Sequence, residues 1–384
     1  MPRRAFVIVI DACGAGELPD SADYGDAGAN TLGHVAEMAG GLYLPVMQGL
    51  GLGSALPLAG CPPAAEPVLH GRLHPLGPGK DTITGHWELM GVITPVALRT
   101  YPDGFPDDVI DRLRDATGRG VLCNRPYSGT AVVDDFGAEH LRTGDLIVYT
   151  SADSVLQIAA HDRAVPEAEL SAACRAAREI MSGEHAVGRV IARPFTGAPG
   201  GFERTEGRKD LALDPPGPSY LQELQADGIP VHTVGKIGSV FNHVGVDHEH
   251  PGASNPAAIA ATSALMDELD RGLVFTNLVE TDQVFGHRQD VPGFHGALQA
   301  IDMAVGEWLA RLDPERDLLV ITADHGCDPT TPGTDHTREH VPLLAVFAGH
   351  DGRRHDGPFA DVGASVLRWL AARSTDALPG TPFL

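Results

Sequence analysis

Three aspartates in this chain sit where short apolar runs end, and two of them have a histidine close behind. Phe6-Val7-Ile8-Val9-Ile10 ends at Asp11, and Leu273 to Val279 leads through Glu280-Thr281 to Asp282, with His287 soon after. Leu318-Leu319-Val320-Ile321-Thr322 runs into Ala323-Asp324-His325-Gly326, and Asp335-His336 follows. A single Asp after a strand is ordinarily a turn or helix-capping residue. That does not account for an adjacent Asp-His pair and its repetition along the chain. Asp11, Asp282, His287, Asp324, His325 and His336 together offer oxygen and nitrogen donors without thiolate. Six such ligands exceed what one tetrahedral ion with an open position can use. They suit two divalent ions sharing one pocket, roughly 3.5–4 Å apart, where a metal pair clamps the attacking and leaving oxygens of a phosphoryl transfer. Carboxylate-rich sites of this kind accept Mn²⁺ and Zn²⁺ alike. His340, one helical turn beyond His336, is an outside candidate ligand. Asp247-His248-Glu249-His250 is a denser cluster, but it precedes Pro251 in a polar stretch and reads as a solvated loop without a strand.

A metal pair acting on phosphate needs a nucleophile, and Lys80-Asp81-Thr82-Ile83-Thr84-Gly85 offers a hydroxyl ahead of a helix-compatible stretch. At a helix N-terminus the unpaired amides and the dipole favour a phosphate, and a metal ion would activate the hydroxyl. Spacing alone leaves Thr82 and Thr84 equivalent, and either is also a fitting helix cap.

These residues must be carried by elements that bring them together. The continuous apolar runs read as parallel strands buried on both faces, and in open α/β sheets the ligand site lies beyond the carboxyl ends of the strands. Alternation with Ala-rich helical stretches makes the chain α/β. Its 384 residues allow a large core and two domains. Residues 97–215 change in character, with their own strands (Leu146 to Thr150, Arg189 to Ala192) and a long helix near Pro166 to Met181. The section closes at the proline cluster Asp214-Pro215-Pro216-Gly217-Pro218, which reads as a linker. The expected organisation is therefore a metal-binding catalytic core of 1–96 and 216–384 with an inserted cap domain at 97–215. The site is expected in the cleft between them, where cap movement would exclude water.

The net charge of −23 argues against nucleic acid as a partner. For an anionic substrate it also requires local positive charge, from metals and a few cationic side chains. Lys80, Lys209 and Lys236 are the only lysines. No apolar run approaches a membrane span, and the first is too short for a signal peptide. Five scattered cysteines and no Cys-x-x-Cys pair fit reduced thiols, so a cytoplasmic protein without a membrane or disulfide framework is expected.

Gly79-Lys80-Asp81-Thr82-Ile83-Thr84-Gly85-His86-Trp87-Glu88 resembles the signature of the phosphopentomutases, in the alkaline phosphatase superfamily and related to cofactor-independent phosphoglycerate mutase. So do Tyr149-Thr150-Ser151-Ala152-Asp153-Ser154, Asn277-Leu278-Val279 with Phe285-Gly286-His287-Arg288, and Pro332-Gly333-Thr334-Asp335-His336-Thr337-Arg338-Glu339. The resemblance runs from Val9 to the C-terminal region. It implies an alkaline-phosphatase-like α/β core, with a mainly parallel sheet flanked by helices and a smaller inserted α/β cap. It also implies interconversion of ribose 1-phosphate and ribose 5-phosphate, and of the 2-deoxy sugars, in nucleoside breakdown. Thr82 matches the phosphorylated threonine, and a catalytic sugar bisphosphate primes it. By the same resemblance Asp11, Asp324, His325 and the Thr82 oxygen hold one Mn²⁺, while Asp282, His287 and His336 hold the other. Asp153, Arg189, Arg204 and Lys236 match positions lining the sugar-phosphate site. A departure from the family pattern is Cys327, where a polar residue is expected. It neighbours the metal ligands, replaces none of them, and would make the site oxidation-sensitive.

Overall fold

The computed structural model describes residues 2–151 and 154–384. The chain forms two compact units, one of Met1–Ala97 with Pro215–Leu384 and one of Leu98–Asp214. In chain order the strands begin with β1 (Arg4–Ile10) and β2 (Leu69–His74). The second unit contributes β3 (Val121–Pro126), β4 (Leu146–Thr150), β5 (Val155–His161), β6 (Arg189–Ala198), β7 (Gly201–Arg204) and β8 (Lys209–Ala212). The chain then returns with β9 (Val231–Val234), β10 (His248–His250), β11 (Gly272–Leu278), β12 (Asp317–Thr322), β13 (Val341–Val346) and β14 (Gly357–Pro358).

The first unit is built on an eight-stranded sheet in the order β10-β9-β11-β1-β12-β13-β2-β14. Of these strands only β13 runs against the rest. Every residue of β1, β11 and β12 is buried, which is why these strands read as continuous apolar runs rather than alternating ones. Helices Asn255–Glu268 and Asp361–Ala371 pack against them. Register then decides where the chemistry falls. β1 is parallel to β11, with Ile10 opposite Leu278, and to β12, with Val9 opposite Thr322. The three strands stop at one level, so Asp11, Asp282 and Asp324 emerge on the same edge of the sheet. Because β13 is antiparallel to β12, its leading end, preceded by His336, returns to that edge. β2 is antiparallel to β13, with Leu73 opposite Val341, so the segment leading to Thr82 starts there too.

Two expectations are corrected. Asp247-His248-Glu249-His250 is no strandless loop. His248–His250 form β10 at the sheet edge, parallel to β9, with His250 Nε2 3.0 Å from His232 Nδ1. Edge strands are short and polar because an apolar edge invites pairing with other chains, and that composition hid the strand. His340 shares no helix with His336. Its backbone N–H donates to the Gly16 carbonyl at 2.8 Å, and its ring Nδ1 lies 3.3 and 3.2 Å from the Gly16 and Glu17 carbonyls.

The second unit has a six-stranded mixed sheet, β3-β4-β5-β6-β7 with β8 paired to β6. Alternate residues of β4 serve opposite faces. Leu146 and Val148 pack with helices Asp107–Thr117 and Glu167–Ile180, and Ile147 and Tyr149 pack with helix Ala131–Thr143 and Phe195. Among the described residues no helix is long and apolar enough to cross a membrane.

Candidate active site

Thr82 is the first residue of helix Thr82–Leu89, and Asp81 caps it. Asp81 Oδ1 accepts the amides of Ile83 and Thr84 at 3.0 and 3.1 Å. The amides that the sequence would offer to a phosphate are therefore already engaged. Thr84 Oγ1 turns inward and donates to Asp81 Oδ2 at 2.7 Å, a capping contact. Thr82 Oγ1 lies instead 3.1 Å from His325 Nε2 and 3.3 Å from Lys236 Nζ. Of the two hydroxyls, Thr82 is the one that faces the acids and imidazoles. The helix approaches them closely at Gly85, where a Cβ would stand 2.2 Å from the Asp324 carbonyl.

Around Thr82 the carboxylates of Asp11, Asp282 and Asp324 are 0%, 5% and 1% exposed, so their charge is buried almost completely. His325 Nε2 is 3.4 Å from Asp11 Oδ1 and 3.2 Å from Asp324 Oδ2. A π-helical turn, Thr281–Phe285, and the 3₁₀ turn Gly286–Arg288 bring His287 back over Asp282. Nε2 of His287 and of His336 stand 3.4 and 3.3 Å from Asp282 Oδ1. The backbone is strained beside Asp11, since Ala12 has φ 62°, a region non-glycine residues avoid. That turn aims the Ala12 amide at Asp324 Oδ1, 3.2 Å away.

Such a cluster leaves buried polar atoms unsatisfied. Asp11 Oδ1, Asp282 Oδ1, Asp324 Oδ2 and His336 Nε2 are buried atoms with no hydrogen-bond partner. Each unsatisfied buried group costs about 1–3 kcal/mol, so their convergence on one small volume fits bound ions. The imidazoles are oriented for the same purpose. His325 Nδ1 is 3.0 Å from the Gly326 carbonyl and His287 Nδ1 is 2.5 Å from the Thr334 carbonyl. With Nδ1 donating to a carbonyl, each Nε2 faces the carboxylates, bearing a proton without metal and offering a lone pair to a metal ion that displaces that proton. Ligand-type atoms of Asp11, Asp324 and His325 lie within 4.8 Å of one another, as do those of Asp282, His325 and His336, and those of Asp282, His287 and Cys327. The donor set thus accommodates divalent metal, with His325 between the two ends.

The electrostatics agree. Burial and the neighbouring Asp324 raise the Asp11 carboxyl above its ordinary range, and Lys236, 2.5 Å away, works against this. Burial would depress the His325 imidazole, but Asp324, Asp11 and Asp282 push it up to about 10. The pairing with Asp282 takes His287 to about 11. A potential that holds protons so firmly also draws metal cations.

Several supporting residues stand inside the quoted motifs but were given no role from sequence. His86 is wholly buried, its Nδ1 3.0 Å from Asp324 Oδ2 and 2.8 Å from the Thr82 carbonyl. Asn277 donates to Asp11 Oδ2 at 2.9 Å and lies 3.2 Å from His86 Nε2. Glu339 accepts from the Thr31 and Gly16 amides and from the hydroxyls of Thr31 and Thr337, tying the Asp11 loop to the His336 loop. Arg338 donates to the carbonyls of Gly77 and Gly79 and so holds the approach to Thr82. Polar residues among apolar motif positions were the available signal.

Of the residues expected at the sugar phosphate, Lys236 lies in the first unit, against Asp11 and Thr82. Arg189 opens β6 and Arg204 ends β7, both in the second unit. Arg204 is exposed, and its Nε donates to the Gly129 carbonyl at 3.1 Å. Asp153 falls outside the described residues.

A family model described as the Metalloenzyme superfamily matches residues 3–373. A phosphopentomutase of Anaeromyxobacter sp. (strain K) is 49% identical over all of this chain and 99% of its own length. That of Caldanaerobacter subterraneus subsp. tengcongensis is 49% identical over 95% of this chain and 94% of its own. The structure of the PH0037 protein from Pyrococcus horikoshii covers 98% of both chains with a TM-score of 0.52 at 14% identity, a likeness of fold. With near-half identity along its whole length, on a sheet edge that collects acids, imidazoles and one hydroxyl, this chain belongs to the phosphopentomutase family of isomerases.

Proposed function

We propose that the protein interconverts α-ribose 1-phosphate and ribose 5-phosphate, and the corresponding 2-deoxyribose phosphates, in nucleoside catabolism. The observation that carries this reading is the setting of Thr82 Oγ1, at a helix start between His325 Nε2 and Lys236 Nζ, 3.1 and 3.3 Å away. Phosphorylated Thr82 transfers its phosphoryl group to the free sugar hydroxyl of ribose 1-phosphate. The Oγ–P bond breaks, the new O5–P bond forms, and the product is the 1,5-bisphosphate. The freed Thr82 oxygen then takes the other phosphoryl group, breaking the O1–P bond and leaving ribose 5-phosphate. A sugar bisphosphate supplies the first phosphoryl group, so the net chemistry is isomerisation.

Asp11, Asp324 and His325 would hold one divalent ion beside Thr82, and Asp282, His287 and His336 a second, with Mn²⁺ the ion implied. When bound, the ions activate the hydroxyl and neutralise charge developing on the transferred group. Lys236 stabilises the Thr82 oxygen as it becomes anionic and keeps its own charge because Asp11, Asp282 and Asp324 outweigh the effect of burial. His86 and Asn277 hold the carboxylates in place. Arg189, Arg204 and Asp153 are assigned to the sugar phosphate, arginine being suited to bidentate grip on phosphate. The reaction partners are small sugar phosphates, and the proposed location is the cytoplasm.

The test is an assay of the Mn²⁺-loaded protein with ribose 1-phosphate and a catalytic amount of sugar bisphosphate. Ribose 5-phosphate should accumulate with little inorganic phosphate. Rapid phosphate release without ribose 5-phosphate would assign the same site to a phosphatase instead.

A further inference from the structure

Three histidines outside the catalytic cluster share one face of the sheet edge. β9 and β10 are parallel, with His232 directly opposite His248 and His250 opposite Val234. Side chains two apart on a strand point to the same face, so His232, His248 and His250 stand together. Glu249 turns to the other face, where His243 Nδ1 meets it at 2.6 Å. The ring centroids of His232 and His248 are 4.5 Å apart, and the rings of His232 and His250 stack at 5.3 Å with 19° between their planes. His232 Nδ1 and His250 Nε2 face each other at 3.0 Å. His248 is exposed and the other two are partly buried, so solvent reaches the group. The neighbouring acid Asp247 is engaged elsewhere, accepting from the Val231 amide and the Gln225 side chain at 2.9 and 2.7 Å.

The surroundings keep these rings uncharged. Burial, then His248 and His250, push His232 down to about 4, against the opposing pull of Asp247. Burial and His248 lower His250 as well, against Glu268. Both are therefore neutral near pH 7, the form in which imidazole binds metal, whereas His287 and His325 hold protons that an ion must displace.

We propose that His232, His248 and His250 form a second metal site, for a divalent ion of the zinc and nickel class, that fastens β10 to β9. It shares no residue with the catalytic cluster and does not depend on how that cluster is read. Nitrogens on one tetrahedral zinc, with Zn–N about 2.0–2.1 Å, stand roughly 3.3 Å apart, close to the 3.0 Å between His232 Nδ1 and His250 Nε2. An ion enters with a change of tautomer. The proton between those two nitrogens moves to the far nitrogen of its own ring, and both lone pairs turn to the metal. No proton is released and nothing is oxidised. The exposed His248 ring supplies a third nitrogen by rotating about its own side-chain bonds, and water takes the remaining position. Imidazole suits zinc, nickel and copper, while manganese prefers carboxylate and water, so the two sites call for different ions. β10 is three residues long and lies at the end of the sheet, so such a cross-link reinforces a short ladder.

The experiment titrates the chelator-stripped full chain with Zn²⁺ and counts the metal bound. The wild type should bind one equivalent more than the double variant His232→Gln/His250→Gln, and the two should show the same mutase turnover with Mn²⁺. His248→Gln alone should weaken that extra equivalent by about ten-fold or more, since losing even a residue that supports a ligand costs that much. Anomalous diffraction at the zinc edge from wild-type crystals, which requires no variant to fold, should place an ion between the His232 and His250 rings. Equal stoichiometry in the double variant and the wild type would reduce the pair to a hydrogen bond between imidazoles and overturn the proposal. An anomalous signal confined to the catalytic carboxylates and imidazoles would overturn it equally, while leaving the catalytic metal reading intact.

Discussion

In the first unit, the carboxylates of Asp11, Asp282 and Asp324 are at most 5% exposed, and an oxygen of each lacks a hydrogen-bond partner. In the second unit, Arg204 and Arg208 are exposed and already occupied. Arg204 holds the Gly129 carbonyl, and Arg208 grips Asp210 through two contacts of 2.6 and 2.5 Å. The contrast fits the roles proposed for the two regions. Buried acids with open valences are organised in advance, and their desolvation is recovered only when cations arrive. An exposed guanidinium such as Arg204 exchanges water and a carbonyl partner for a phosphate, a contact worth roughly 1.5–3 kcal/mol, whereas Arg208 would first have to release Asp210. The first arrangement suits chemistry that must occur at one point, the second suits recognition of a mobile substrate.

The largest effect expected separates two neighbouring threonines. Thr82→Ala should lower mutase turnover by about 10⁴-fold or more, the scale on which a nucleophile is lost, and abolish the phosphorylated protein seen by intact mass. Thr84→Ala should keep that species and lose only about 1 kcal/mol of stability through its cap contact. Equal phosphorylation of Thr82→Ala and wild type would remove Thr82 from the chemistry.

Metal removal comes next. Exhaustive chelation should reduce activity by about a hundred-fold or more, and Mn²⁺ should restore most of it. The sign of the pH effect follows from the raised imidazoles. In the metal-free protein His325 at about 10 and His287 at about 11 stay protonated at neutral pH, far above an ordinary histidine. An ion must displace those protons, so affinity should weaken as pH falls, and binding at pH 7 should release on the order of two protons per protein. Calorimetry in buffers of different ionisation enthalpy measures that release. Binding with no proton release would show that these imidazoles are not ligands.

A smaller effect tests the buried support. His86→Ala removes the imidazole that stands 3.0 Å from Asp324 Oδ2 and should weaken metal binding by about 10–100-fold, with His86→Gln recovering part of the loss. Unchanged metal affinity in both would reduce His86 to packing.

The smallest effect tests the contrast itself. Arg204→Ala should lower mutase efficiency by about ten-fold, while a bisphosphate still phosphorylates Thr82, though more slowly. Lys236→Ala should slow both steps alike, because its Nζ contacts Asp11 and Thr82 at 2.5 and 3.3 Å. If Arg204→Ala instead blocked phosphorylation of Thr82 as severely as turnover, the division between prepared chemistry and solvated recognition would fail.

The sequence by itself determined the central strands, because a segment buried on both faces must be apolar throughout. β1, β11 and β12 were therefore visible as runs, each with its aspartate beyond the end. It also determined a helix in the stretch after Lys80, although its cap is Asp81 and not Thr82 or Thr84 as the sequence reading offered. Only tertiary structure decided the rest. β2, spelled Leu-His-Gly-Arg-Leu-His, and the polar β10 become strands because a partner offers a hydrogen-bonding edge, and nothing in their local pattern requires it. Which of the two hydroxyls faces acids and imidazoles is likewise decided by groups more than 150 residues away, Lys236 and His325. The same holds for His86, Asn277 and Glu339, whose polar atoms find their partners only when distant segments meet. Local sequence specifies which groups exist and how their own turn is capped. Register between strands remote in sequence specifies which of those groups share a few ångströms of buried, low-dielectric space, and it is there that their charges become chemistry.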